Sequence, residues 1–149
     1  MPFDLPIGDP CAFCEVIEGR MAKGIVEETE LALTLVSWNQ FEVGQVLVIP
    51  RRHAPTLLDL TNEEIAAVMD VVRRVADAPV VTYDPDGLTL YQNNGVVSRQ
   101  EVPRRRGSDW GEGPPHIAAL ENKDESLLRR VRITAEGREQ VADRIKANL

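Results

Sequence analysis

The chain has 149 residues, the length of one ordinary domain, with 43% hydrophobic and 28% charged residues. Those are globular values; they exclude a disordered tail or a fibrous repeat. Folding at this length buries roughly two-thirds of the extended surface, enough for a self-supporting core. A formal net charge of -7 argues against a general nucleic-acid binder, which needs a basic surface. The longest apolar runs, such as Val46-Leu47-Val48-Ile49, fall far short of the ~18 residues a membrane span needs. The start lacks a basic-then-apolar leader pattern, so the expectation is a cytoplasmic protein away from membranes. Two histidines, His53 and His116, cap the histidine chemistry open to this chain.

In chain order, the first ten residues hold three prolines and no periodicity, and read as an extended arm. Cys11-Ala-Phe-Cys14 follows, then a short apolar segment stopped by Gly19. Residues 25–36 predict two strands around an acidic turn at Thr29, the second covering 31–36. Gly44 opens the strongest strand signal, residues 45–50, rich in valine and closed by Pro50. A helix starts at Asp59-Leu-Thr-Asn-Glu-Glu64, where Thr61 caps and Glu64 completes a capping box. Ile65, Val68, Met69, Val72 and Val75 recur at three- and four-residue steps and predict its buried face, with Pro79 ending it. Asp84-Pro-Asp-Gly87 predicts a turn and residues 88–92 a strand. Residues 104–115, rich in Arg, Gly and Pro, predict a loop. A last helix is predicted from Thr134 to about Asn148, with Val141, Ala142 and Ile145 on one face. No repeat or linker divides the chain, so the expectation is a single α+β domain over residues 1–149.

Cys11-x-x-Cys14 admits several readings. A reducing compartment disfavours a disulfide staple. A redox pair would follow a strand and open a helix in a βαβ unit, a context absent here. Two thiolates at this spacing hold one face of a zinc ion, with His53 as a third donor and no evident fourth. Two partly buried free cysteines are the plain alternative. The loop from Gln92 to Gln100 is dense in amides, and Gly95 lets backbone N–H groups converge on an anion. That suits a phosphate or a sugar hydroxyl, but from the residues alone a polar hairpin turn at Asn94-Gly95 is the favoured account. Arg104, Arg105 and Arg106 match a phosphate or form a solvated loop. His116 reads as a lone loop histidine, structural or exposed rather than catalytic. Trp38 and Trp110 fall in loops, where an indole stacks a base or fills the edge of a core.

Taken together, Cys11-Ala-Phe-Cys14-Glu-Val-Ile-Glu-Gly19, Gly44-Gln-Val-Leu-Val-Ile-Pro50-Arg-Arg-His53, Leu57-Leu-Asp-Leu60 and Gln92-Asn-Asn-Gly95…Gln100-Glu-Val102 resemble the histidine triad (HIT) family of nucleotide hydrolases and transferases. The resemblance is collinear from about residue 10 to residue 103, leaving 104–149 as a C-terminal extension. It implies an α+β fold with a mainly antiparallel sheet and one long helix, usually as a homodimer. A purine nucleotide or nucleoside phosphate would lie in a cleft near the sheet. By position, Cys11, Cys14 and His53 match the zinc ligands of the zinc-binding members. Asn93 matches an amide that contacts substrate, and Gln100 the glutamine that opens the signature. Ser37 stands where many members carry Asp or Asn for the ribose. Gln45 replaces the usual histidine, and Arg99 a glycine, whose loss crowds the phosphate loop.

The family signature continues from Gln-x-Val-x into His-φ-His-φ-His-φ-φ, with φ apolar. Here Gln100-Glu-Val-Pro103 runs straight into Arg104, and a strand of roughly eight residues is absent between intact flanks. In the family the middle histidine attacks the α-phosphate, giving a nucleotidyl-histidine that water hydrolyses. The first signature histidine supplies the fourth zinc ligand. The resemblance therefore implies a reaction lost or slowed by orders of magnitude, and a zinc completed by water, a carboxylate or His116. It also implies a sheet rearranged or weakened at its open edge. Three functions follow: a nucleotide-binding HIT protein without the nucleophile, favoured here; an active hydrolase or transferase, if the natural gene encodes the strand; and a zinc-stabilised structural domain. A redox role for the cysteine pair trails these.

Overall fold

A computed structural model of the protein describes residues 4, 11–21, 24–40, 44–98, 100, 116–120 and 131–149, with 116–120, 131 and 132 described by backbone alone. Two strands carry the core because their sequences are apolar almost throughout. Strand β2 (Ala32–Val36) pairs antiparallel with β4 (Val46–Pro50), Ala32 opposite Pro50 and Val36 opposite Val46. Side chains alternate between the two faces of a strand. Val36, Val46 and Val48 therefore join a layer with α2 (Asn62–Tyr83) and α3 (Ala135–Lys146), through Val68, Val72, Val75 and Ile145. Leu33, Leu35, Leu47 and Ile49 face the opposite layer, where α1 (Ala12–Ile17) supplies Phe13, Val16 and Ile17 beside Trp38.

The remaining strands extend this pair into a five-stranded antiparallel sheet of order β1-β2-β4-β6-β5. Strand β1 (Ile25–Glu28) covers one edge and β5 (Gly87–Tyr91) forms the other. A separate ribbon pairs β3 (Asn39–Gln40) with β7 (Val131–Arg132). The α+β class and the mainly antiparallel sheet are as predicted.

Between β4 and β5 the sheet is not vacant. Strand β6 (His116–Leu120), drawn from the C-terminal extension, occupies that position. It pairs with all of β5, from Gly87 opposite Leu120 to Tyr91 opposite His116. Against β4 it reaches only Val46 and Leu47. This corrects the reading of His116 as a loop residue: it is the first residue of a strand. It also gives β4 and β5 a shared neighbour, so the sheet is continuous across this position. The cause is general: β4 and β5 present rows of N–H and C=O groups that require partners, and Ile117-Ala-Ala-Leu120 contains no charge to oppose pairing. Residues 104–106, Arg99 and Trp110 lie outside the described residues, as does the N-terminal arm apart from Asp4.

Helix α2 begins as predicted. Glu64 N donates to Thr61 Oγ1 at 3.2 Å, and Thr61 N donates to Glu64 Oε2 at 2.8 Å. Its end differs from expectation, since the helix continues through Pro79 to Tyr83. Proline has no N–H to offer the preceding turn, but the last turn is closed by Asp84 N donating to Val80 O at 3.0 Å. Asp84 itself adopts a left-handed conformation at φ 46. The buried face also differs: Val71 and Ala78 join it, whereas Met69 is 44% exposed and Ile65 half-buried. Helix α3 buries Val141, Ala142 and Ile145, capped by Thr134, whose Oγ1 accepts from Gly137 N at 3.0 Å.

Gly44 turns into β4 at φ +98, and a Cβ there would lie 2.4 Å from the Tyr83 ring. Gly19, at φ +74, faces open space. Both substitutions to alanine strain the backbone, by about 1–3 kcal/mol, but Gly44→Ala adds a clash with the end of α2. Urea unfolding is expected to show a clearly larger loss for Gly44→Ala; equal losses would mean the Tyr83 contact contributes nothing.

Candidate functional site

The site is built on the residues that leave β4. Arg52 donates from Nε to Glu64 Oε1 at 2.6 Å and from Nη2 to Glu64 Oε2 at 2.7 Å. Nη2 also reaches the Asp59 carbonyl at 2.7 Å. Glu64 thus caps α2 and anchors Arg52 with the same carboxylate. The Arg52 hydrogen bonds, then the Thr61 backbone, hold the Glu64 carboxyl down to about 2, from an ordinary 4.5. A second capping box lies between them: Leu58 N donates to Thr56 Oγ1 at 3.2 Å, and Thr56 N to Asp59 Oδ2 at 3.0 Å. The segment from Arg52 to Glu64 is therefore fixed by side chain to backbone bonds at both ends.

That fixed segment places His53 against α1. Cys14 Sγ lies 3.2 Å from His53 Nδ1, and the donor atoms of Cys11, Cys14 and His53 all lie within 4.8 Å of one another. The structure brings these three sequence-selected residues together. Burial, then the neighbouring Cys11, Glu18 and Glu15, pushes the Cys14 thiol up to about 11. Without a cation the thiol is neutral and can donate to Nδ1; a divalent ion reverses that balance, because the thiolate is the ligand. Two sulfurs and one imidazole nitrogen fit one face of a tetrahedral zinc ion. Among the residues whose side chains are described, no further His, Cys, Asp or Glu joins the cluster.

Beside the cluster lies a cavity of about 260 Å³. Its walls come from α1, the end of β4 and the first turns of α2, with Gln92 and Gln100 at one corner. Ile65 and Met69, selected from the sequence as core, line this cavity instead. The cavity adjoins Ile49 and Pro50, beyond the point where β6 ceases to pair with β4.

The amide loop is held from within. Gln100 is buried; its Nε2 donates to Pro55 O at 2.6 Å, and its Oε1 accepts from Gly95 N at 2.6 Å. Gly95 sits at φ +90, and Ser98 Oγ donates to the Asn94 and Gly95 carbonyls at 2.5 and 2.9 Å. The chain enters a 3₁₀ turn at Val96–Ser98 rather than a hairpin. Gln100 therefore ties this loop to the segment that follows His53. Asn93 is half-buried at the head of the loop. Ser37 is buried, and its hydroxyl donates to Asn39 O at 2.6 Å, away from the cavity lining. Sequence reasoning missed Arg52 as an anchor, and the bond from Gln45 Nε2 to Tyr91 Oη at 2.8 Å. Spacing alone gives no sign of either pairing.

Glu64 supplies a pH-dependent contribution to stability. Its folded pKa is depressed, so the contribution is full above about 4.5 and is lost as the pH falls towards 2. Glu64→Gln is expected to lower the denaturation midpoint at pH 6, with the gap from wild type narrowing below pH 4. A constant gap down to pH 2.5 would refute this.

The HIT domain pattern matches residues 18–104. Over 92 residues the chain is 30% identical to the adenosine 5'-monophosphoramidase of Schizosaccharomyces pombe, an alignment covering 62% of this chain and 66% of that protein. It is 32% identical to the protein Hit of Bacillus subtilis, covering 62% of this chain and 63% of that one. The chain thus spans a little under two-thirds of the length of these relatives. A zinc-bound histidine triad family protein from Mycobacterium smegmatis superposes with a TM-score of 0.76 at 26% identity, covering 93% of this chain and 92% of that one. With the domain pattern spanning more than half of its residues, the chain belongs to the histidine triad (HIT) family.

Proposed function

We propose that this chain is a nucleotide-binding HIT protein that holds zinc on Cys11, Cys14 and His53 and lacks the family's nucleophile. One observation carries the reading. Within the matched stretch, residues 18–104, His53 is the sole histidine, and its Nδ1 is turned to Cys14. No imidazole in that stretch is left to attack a phosphorus. The likeness to an adenosine 5'-monophosphoramidase points to a purine nucleotide or nucleoside phosphate as the ligand class. As the resemblance implies, Asn93 would contact it, with Gln100 holding the loop through Pro55 and Gly95. A ribose contact at Ser37 requires that hydroxyl to leave Asn39. A bound zinc ion would fix α1 to the end of β4, a structural role consistent with the zinc-bound relative.

Two further expectations belong to this reading. The outer edge of β5 has no partner strand among the described residues, and Leu88 and Leu90 on it are 43% and 46% exposed. An edge of that kind invites pairing with a second copy, which supports a homodimer. Both cysteines are free and no described helix is long and apolar enough to cross a membrane, which fits a cytoplasmic location.

Purified protein is expected to bind AMP in calorimetry while showing no turnover of adenosine 5'-phosphoramidate. Turnover in the ordinary enzymatic range, ~1–1,000 per second, would overturn the inactive reading. Undetectable AMP binding at millimolar concentration would remove the nucleotide. The protein as purified is also expected to carry one zinc per chain. Cys14→Ser should lower both zinc content and melting temperature; an unchanged melt would count against the metal. Leu90→Glu is expected to convert a dimer to monomer in sedimentation.

A further inference from the structure

We propose that the metal position on Cys11, Cys14 and His53 opens into the adjoining apolar cavity and accepts a neutral nitrogen heterocycle, of the alkyl-azole class, as its fourth ligand. The inference rests on the zinc reading above and goes beyond it, from a structural ion to a ligand-binding one.

The first support is the number of donors. Closed structural zinc sites use four protein ligands, whereas sites with three keep one position for an exchangeable ligand. Three donors converge here, and among the residues whose side chains are described no fourth joins them. The second support is place. Cys11, Cys14 and His53 are themselves part of the cavity wall, so the cluster and the cavity are continuous. Ile49 and Pro50, at the end of β4, line the same cavity.

Charge and size then select the ligand. Two thiolates cancel the charge of a divalent ion, so a neutral fourth donor leaves the assembly neutral. An anionic donor would set a net negative charge against Phe13, Ile17, Ile65 and Met69, which is costly in apolar surroundings. Arg52, the one cation among the described wall residues, is already committed to Glu64. Imidazole-type nitrogen suits zinc and carries no charge. A volume of about 260 Å³ lies below the range of drug-sized pockets, roughly 300–1,000 Å³. It suits one ring bearing a short alkyl chain.

The test uses the full chain loaded with Co²⁺, whose visible bands report its ligands, titrated with 1-methyl-, 1-ethyl-, 1-propyl- and 1-butylimidazole. Each is expected to shift the bands saturably. Affinity should rise about fourfold per added methylene, the ~0.8 kcal/mol of a buried CH₂. Met69→Gln, at a half-exposed position of the wall, should flatten that rise while leaving cobalt stoichiometry unchanged. Bands unmoved by saturating 1-methylimidazole would overturn the inference, because a residue of the chain would then hold the fourth position. A flat alkyl series would overturn it too, by placing the ligand outside the cavity. Failure to bind cobalt or zinc at all would remove the metal reading together with it, whereas bound metal with unresponsive bands removes this inference alone.

Discussion

Strand β4 is buried on both faces, and it is hydrogen-bonded unequally along its two edges. Against β2 it pairs over five residues; against β6 it pairs over two. The full edge builds the core, because Val46 and Val48 meet the long helix while Leu47 and Ile49 meet α1. The end of the strand borders the cavity, because Ile49 and Pro50 form part of its wall. The direction in which β4 ends decides where Arg52 and His53 emerge. Core, cavity and the cysteine–histidine cluster therefore depend on one strand, and a change in its register would displace all three at once.

What fixes the cluster is positional rather than energetic. The ion pair of half-exposed Arg52 with buried Glu64 does more than bring opposite charges together. Its value lies in geometry: a two-pronged bond from the end of β4 to the carboxylate that caps α2 leaves the intervening segment few conformations. The capping box of Thr56 and Asp59 removes more of them, and Gln100 bonds Pro55 from the other side. A histidine in a free loop would have to be ordered by its ligand. His53 is ordered before any ligand arrives.

Local signals in the sequence carried much of the architecture. The valine and leucine runs located β2 and β4, Thr61 with Glu64 located the start of α2, and Cys11-x-x-Cys14 with His53 located the donors. The failures are all nonlocal. Pro79 argues for a helix end by its own chemistry, but the turn beyond it is held by Asp84 and by the seat of Tyr83 over Gly44. Ile65 and Met69 fall on the apolar stripe of α2, yet they line the cavity rather than join the core cluster. His116 follows two prolines and looks like loop, and only the unpaired edges of β4 and β5, far away in sequence, make it a strand.

Those misses expose an asymmetry between fold and chemistry. A sheet position is filled by backbone, and backbone groups are the same in every residue, so His116-Ile-Ala-Ala-Leu120 can take a position vacated by another sequence. Function at that position belongs to side chains at alternate residues, and a substitute strand does not bring them. Under the HIT resemblance, the missing segment carried both the nucleophile and the fourth zinc ligand. The three clustered donors lie elsewhere, Cys11 at the cap of α1, Cys14 within it and His53 after β4. On the proposed reading, loss of one strand would therefore act on the two functions differently. It would remove the nucleophile, yet spare three donors that sit together in the wall of the cavity.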